Sequence, residues 1–310
     1  MIESLVCNKA MCKKRYKSAI GCVARLEEAY IQEWIVHHYL IGFDKILVVL
    51  HKIDGEIDNT FNKIMNLPQF VLDKVVILPY VNNNPGWDFQ EKAYNLIYDL
   101  VSKEVEWLAI WDVDELFYDF KQRKINDIID TFALDTSQIL FWWKIYGSNN
   151  NVRTIKLPNT RLSALTKRMP LINSYMLKPA QFKSIIKVDR LVKNDRWCFI
   201  HFCKTIDGCT RDANGLLISD KPLQDWKNIE QLHYNKTSFI SLSQSSNIAH
   251  YITGSLEDWV MRHSRCKNRF NGIEHNVDYF KGLDNQSKED DYSMLVYHNA
   301  VRAILEKVKI

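Results

Sequence analysis

Glycine and proline are scarce in this 310-residue chain, at 10 and 7 residues, which argues against low-complexity linkers. No apolar run approaches the roughly 18 residues that span a bilayer, so a transmembrane helix is not expected. The net charge is only +4, without a polybasic tail, and does not suggest a dedicated nucleic-acid binder. The start of the chain, with Glu3 and then Lys13-Lys14-Arg15, lacks the ordered charged, apolar and small-residue regions of a secretory signal. Seven cysteines make an odd set with no regular spacing, which predicts reduced thiols and a cytoplasmic protein.

What is present is core-forming material. Apolar residues make up 46% and charged residues 25%, enough for a substantial core. Nine tryptophans serve either as buried core or as flat platforms for sugar rings.

The most informative stretch runs Glu106-Trp107-Leu108-Ala109-Ile110-Trp111-Asp112-Val113-Asp114-Glu115-Leu116-Phe117. An apolar run of strand length suits a strand buried on both faces. It ends in carboxylates, where open α/β sheets bind their ligands. Asp112 and Asp114 sit two apart, so an extended backbone points both to one side. A pair of hard oxygen ligands suits Mg²⁺ or Mn²⁺ held with waters and substrate phosphates. Acidic residues also end strands because loops are solvated, so the motif needs its surroundings.

Those surroundings alternate. The pattern predicts strands at 20–23, 45–50 and 75–78, and helices at 25–40, 60–65 and 88–101. The order implies a doubly wound α/β sheet, Rossmann-like, with helices on both faces. After Phe117 a helix is expected at 125–132, a strand at 138–146, a strand pair from 184–188 and 197–202, a basic helix at 255–270 and a closing amphipathic helix at 291–308. That last helix packs on its own domain or docks on a membrane surface or partner. Cys198, Cys203 and Cys209 with His201 offer a zinc alternative, but without the paired Cys-x-x-Cys spacing that marks such sites.

Together these pieces resemble the GT-A glycosyltransferases, in the family-two-like branch that includes glycosyltransferase family 92. The matching residues are Arg25-Leu26-Glu27, Glu33-Trp34, His38, Gly42-Phe43-Asp44, Gln90, Ala93-Tyr94-Asn95 and Asp112-Val113-Asp114-Glu115-Leu116. Further on come Trp143, Gly147-Ser148, Lys183-Ser184-Ile185 and the run His250-Tyr251-Ile252-Thr253-Gly254-Ser255-Leu256-Glu257-Asp258. The likeness spans about residues 18–270 in the same order. Three positions depart from it: Leu26 stands for an asparagine, Gly254 for a lysine, and His51-Lys52-Ile53-Asp54 for Asp-Asn-x-Ser.

The resemblance implies a single GT-A-type mixed-sheet domain over 1–270, with a nucleotide-binding half at about 18–120 and an acceptor half at about 121–270. A helical extension at 271–310 would follow. It implies a metal-dependent transferase, inverting, that moves a hexose from a nucleoside-diphosphate sugar to a glycan or lipid-linked saccharide, as in lipopolysaccharide, capsule or other polysaccharide assembly. The setting would be cytoplasmic or peripheral at the inner membrane surface. Asp112, Asp114 and His250 would hold Mn²⁺ or Mg²⁺, with His201 and His233 as weaker matches. Glu27, Asp54, Asp58, Gln90, Arg262 and Arg265, together with Lys267, would contact the nucleotide sugar; arginine matches phosphate oxygens bidentately. A general base is expected among Asp207, Asp212 and Asp220, and no pattern singles one out. The competing readings are a carbohydrate-binding protein without catalysis and a nucleotidyl- or phosphotransferase using the same metal.

Overall fold

The computed structural model describes residues 14–83, 87–171, 182–192, 197–198, 201–222, 245–265 and 277–308. Strand β1 (Tyr16–Ala24) leads into helix α1 (Ile31–Ile41) and back to β2 (Lys45–Lys52). Helices α2 (Thr60–Met65) and α3 (Gln69–Leu72) carry the chain to β3 (Val75–Val81), and α4 (Trp87–Val101) returns it to β4 (Val105–Ile110). The next elements are β5 (Glu115–Tyr118), α5 (Ile125–Ile129), β6 (Thr136–Ile145), α6 (Arg161–Ala164), β7 (Lys167–Arg168) and β8 (Phe182–Lys187). A short hairpin of β9 (Trp197–Cys198) and β10 (Phe202–Cys203) precedes β11 (Cys209–Asp212), β12 (Leu217–Ser219) and β13 (Asn247–His250). Helices α7 (Leu256–Arg265) and α8 (Val277–Gln286), strand β14 (Glu289–Asp290) and helix α9 (Leu295–Leu305) complete the fold.

The main path of the sheet runs β12-β11-β6-β8-β4-β1-β2-β3. Strands β4, β1, β2 and β3 are parallel neighbours, and β8 inserts antiparallel between β4 and β6. The chain thus winds outward from β1 to β3, then crosses back to β4, which places a topological switch between β1 and β4. Alternation along the strands divides the core. Ile20, Cys22, Ala24, Ile46, Val48 and Leu50 face one layer with α1, while Ala19, Leu47 and Val49 face another with Ala93 and Ile97 of α4. Helices therefore cover both faces, as the alternating pattern predicts. Gly21 lets α4 approach, because a Cβ there would stand 2.8 Å from the Ile97 side chain.

Several expected boundaries move. Helix α1 begins at Ile31, because residues 25–30 form a loop in which Leu26 adopts a left-handed backbone with φ 55°. Asp58 holds that loop by accepting the Leu26 N–H at 2.9 Å. The expected strand pair does not form: β8 fills the gap between β4 and β6, and β9 pairs with β10. The helix expected at 125–132 stops at Ile129, and the basic helix is described as far as Arg265. Helix α9 starts at Leu295 and packs on α1, with Met294, Val301 and Leu305 buried in the same core as Trp34 and Ile35. Burying side chains of this size contributes about 1.5–3 kcal/mol each. Among the described residues no helix is long and apolar enough to cross a membrane.

Candidate active site

Strand β4 delivers Trp111, Asp112, Val113 and Asp114 to the carboxyl edge of the sheet, and β5 starts one residue later. Three contacts fix this turn. The Trp111 N–H donates to the Gly21 carbonyl at 3.0 Å, the Glu115 N–H to the Asp112 carbonyl at 3.0 Å, and the Tyr251 N–H to the Asp114 carbonyl at 2.8 Å. Strand β13 lies antiparallel on β5 with His250 opposite Glu115, so the late histidine is brought beside Asp114 by register. Its Nε2 stands 3.5 Å from Asp114 Oδ2. From α7, Arg262 donates through Nη1 to the same Asp114 Oδ2 at 2.9 Å and to the Ile252 carbonyl at 2.8 Å. Burial raises the Asp114 carboxyl, but the Arg262 and His250 charges outweigh it and hold it well below the usual carboxylate range.

Asp112 points elsewhere. Its Oδ2 accepts from Lys183 Nζ at 2.8 Å, and Lys183 also lies 3.3 Å from Glu115 Oε2. Both Lys183 and Glu115 are fully buried, whereas the Asp112 side chain is 45% exposed. Burial lowers the Lys183 ammonium, but the Asp112 and Glu115 carboxylates outweigh it, so Lys183 stays charged. Burial in turn raises the Glu115 carboxyl, against the pull of Lys183. Glu115 Oε2 also accepts the Asp112 N–H at 2.9 Å, closing a clip around the first carboxylate.

The fit to a divalent cation follows from these partners. A carboxylate oxygen and an imidazole nitrogen 3.5 Å apart suit Mn²⁺ better than Mg²⁺, whose ligands are oxygens. Asp114 and His250 fit; Asp112, turned onto Lys183, does not join them. Among the described residues no group of three or more His, Cys, Asp and Glu converges to hold a metal, which applies equally to the cysteine alternative. Cys203 and Cys209 are buried, and the side chain of Cys198 lies outside the described residues.

Other expected residues divide. Leu26, Glu27, Tyr30, Lys156, Met261 and Arg262 line one cavity of about 170 Å³ beside Asp114's partner arginine. Gln90 is half-buried near the start of α4. Asp58 spends its carboxylate on the Leu26 N–H and on the Thr60 N–H and hydroxyl, and Asp54 exchanges hydrogen bonds with Asn83 at 2.9 and 2.8 Å. Asp58 holds its loop with both carboxylate oxygens, and Asp54 ties its loop to Asn83 through one oxygen and its N–H. His51 donates to the Asn82 carbonyl and stacks on Phe89 with centroids 3.7 Å apart. His201 donates through Nδ1 to the Phe182 carbonyl at 2.6 Å, and burial, helped by Lys183, pushes it down to about 3. Trp143 lies between the two histidines, 5.1 Å from the His201 ring and 4.2 Å from the His250 ring. Asp207 pairs with Arg190 at 3.1 Å, Asp212 accepts the Asn214 and Leu216 N–H groups of its own turn, and Asp220 is exposed. His233, Lys267 and the side chain of Arg265 lie outside the described residues.

Two contacts to the Asp-Val-Asp turn have weak sequence signals. Lys183 belongs to the Lys183-Ser184-Ile185 match, but its pairing with Asp112 shows only when strand β8 is set beside β4. Arg161, in a polar stretch with no marker, donates to the Val113 carbonyl at 3.0 Å and pairs with Glu33 at 3.4 Å in the core. It also lies over the Tyr30 ring at 4.4 Å and near the Tyr251 ring at 5.6 Å.

Helix α7 is fixed at its start by a capping arrangement. The Asp258 N–H donates to the Ser255 hydroxyl, whose own O–H and N–H donate to Asp258 Oδ2. Tyr30 and Thr154 donate to the same carboxylate at 2.5 and 2.7 Å. Gly254, before the cap, has φ +58°, and a Cβ there would stand 3.0 Å from the Asp258 side chain. The glycine therefore serves a left-handed turn that a lysine fits poorly.

No family model matches the chain, and no curated protein matches it. Among solved structures it is similar to TarS of S. aureus, at 15% identity and a TM-score of 0.35, covering 94% of this chain and 55% of that one. The chain thus spans about half the length of that protein. It is also similar to the glucosyl-3-phosphoglycerate synthase of Mycobacterium tuberculosis, solved with Mn²⁺, UDP-glucose and phosphoglyceric acid, at 10% identity and a TM-score of 0.32, covering 74% of this chain and 79% of that one. A second structure of that synthase, with phosphoglyceric acid, gives a TM-score of 0.31 at 10% identity. At such scores the functional reading rests on the site itself.

Proposed function

We propose that this chain is a glycosyltransferase that takes a sugar from a nucleoside-diphosphate donor and passes it to a glycan or lipid-linked saccharide. The observation that carries the reading is the convergence of Asp114, His250 and Arg262 at the carboxyl edge of β4, beside a cavity lined by the loop after β1 and by α7. Sugar transfer from such a donor must neutralise a departing diphosphate, position the anomeric carbon and accept a proton from the acceptor hydroxyl. Arg262 offers the phosphates a planar guanidinium that matches their oxygens bidentately. Asp114 and His250 would hold Mn²⁺ or Mg²⁺, which when bound supplies further neutralisation of the diphosphate.

The rest of the constellation keeps this geometry ready. The Lys183–Glu115 clip fixes Asp112, the Arg161 bond fixes Val113, and the β13 register fixes His250, so these three positions are held before a donor binds. Asp207 and Asp212 are engaged in structural bonds, and Asp207 and Asp220 are the exposed members of the set.

The test is thermal stability against a panel of nucleotide sugars, with Mn²⁺ and then with a chelator. A ligand that binds only the folded state raises the midpoint by mass action. The reading expects one donor to raise it and the chelator to remove most of that shift. No shift with any donor, in either condition, contradicts a nucleotide-sugar site.

A further inference from the structure

Three carboxylates meet two cations in the candidate site, but the cations differ in how they are held. Lys183 is fully buried and clamped between Asp112 and Glu115. Arg262 is 32% exposed in its side chain, lines the neighbouring cavity, and is held by Asp114 and one neutral carbonyl, that of Ile252. Lys183 is built in; Arg262 is the partly exposed one of the two, hydrogen-bonded to Asp114 and attracted more weakly by Glu27, Asp258 and Asp112.

Its present position has a consequence. The oxygen that accepts Arg262 Nη1 at 2.9 Å is Asp114 Oδ2, the one that faces His250 Nε2 at 3.5 Å. A cation shared by Asp114 and His250 would compete with the guanidinium for that oxygen. The chain also offers few ligands with which to win the competition. Asp112 is committed to Lys183, and no set of three ligating side chains converges among the described residues. Mg²⁺ and similar hard cations held by one or two side chains draw their remaining ligands from waters and substrate phosphates.

We propose that Arg262 couples the metal to the donor: it caps Asp114 until a diphosphate draws the guanidinium away, so metal and nucleotide bind together rather than separately. This rests on the nucleoside-diphosphate reading of the site. A diphosphate gives the guanidinium a doubly matched partner, uncovers Asp114, and brings oxygens that complete the metal's shell. The coupling is reciprocal: whatever factor the nucleotide adds to metal affinity, the metal adds to nucleotide affinity.

The experiment is Mn²⁺ binding by the whole chain, followed by electron paramagnetic resonance of free Mn²⁺, first alone and then with UDP or GDP. The wild-type chain binds Mn²⁺ weakly alone and at least about tenfold more tightly with the matching nucleotide. Arg262→Met binds Mn²⁺ alone about tenfold more tightly than wild type, because one charged hydrogen bond no longer competes. Its nucleotide-dependent gain shrinks accordingly. Arg262→Gln, which keeps a donor for the Ile252 carbonyl, serves as the second variant if the methionine chain does not fold, with the same expectation. If wild type and both variants bind Mn²⁺ equally without nucleotide, while UDP or GDP still tightens it, Arg262 is no cap and the proposal falls while the donor site stands. If neither nucleotide changes Mn²⁺ binding in any of the chains, the nucleoside-diphosphate reading beneath it falls as well.

Discussion

Replacing Arg161 by methionine removes a buried cation without removing much volume. Arg161 is 2% exposed and Glu33 is 5% exposed. The guanidinium is paired with Glu33, donates to the Val113 carbonyl and lies over the Tyr30 ring. Taking one partner from a buried ion pair leaves the other charge uncompensated, at a cost of about 3–5 kcal/mol. The lower end applies here, because the Arg161 backbone N–H still donates to Glu33 Oε2 at 3.2 Å. A loss of that size lowers the melting midpoint by roughly 10 °C. Urea and thermal unfolding of Arg161→Met, Glu33→Gln and the double variant form the cycle that isolates the pair. The double variant should recover more than about 1 kcal/mol relative to the single arginine variant, because the stranded charge is gone. A single variant as stable as wild type, or a double variant no better than the single, would refute the argument that this pair is coupled in the core.

The other expectations concern backbone and pH. Leu26 and Gly254 both hold left-handed backbone, at φ 55° and 58°, where a side chain costs about 1–2 kcal/mol. Leu26→Gly should therefore raise the thermal midpoint, and Gly254→Lys should lower it; opposite shifts would show that packing overrides the backbone. Burial lowers His37 from its usual value to about 4, with the Phe117 carbonyl that accepts its Nε2–H pulling the other way. The unfolded chain takes up that proton near pH 6.5 and the folded chain does not. The neutral ring's stability is thus complete above pH 6.5 and falls as pH drops toward 4, by about 3 kcal/mol in all. His201, partly buried and lowered to about 3, acts in the same direction. His37→Gln should flatten the slope of unfolding free energy between pH 6.5 and 4.5, and an unchanged slope would remove His37 from the account.

Much of the first half of the fold is legible because its signals are local. Buried parallel strands read as unbroken apolar runs, and the helical spacing of Trp34 and Ile41 marks α1, although that helix is buried on most sides rather than amphipathic. The Asp112-Val113-Asp114 turn is legible for the same reason, since an apolar strand that stops in carboxylates needs no partner to be seen. Beyond Phe117 the informative contacts are long-range. Whether Lys183 meets Asp112 or β9 depends on which strand fills the gap beside β4, and a six-residue segment carries no record of that choice. The reach of Arg161 to Val113 is equally silent, because a polar loop arginine reads as solvated until the fold buries it. Leu26 shows a third kind of limit. Its departure from the resembling family is visible in the sequence, but the left-handed backbone that makes an asparagine suitable there is visible only in the structure.

The claim that Asp114 anchors a metal-assisted diphosphate site is tested most directly by donor turnover in wild type and Asp114→Asn. Release of nucleoside diphosphate from the donor that stabilises the chain would be followed in Mn²⁺ and again with a chelator present. The account predicts turnover in wild type with Mn²⁺, loss on chelation, and loss of at least about a hundredfold in Asp114→Asn, the size seen when one charge-stabilising contact is removed from an active site. Full activity of Asp114→Asn, together with wild-type turnover that survives the chelator, would contradict it.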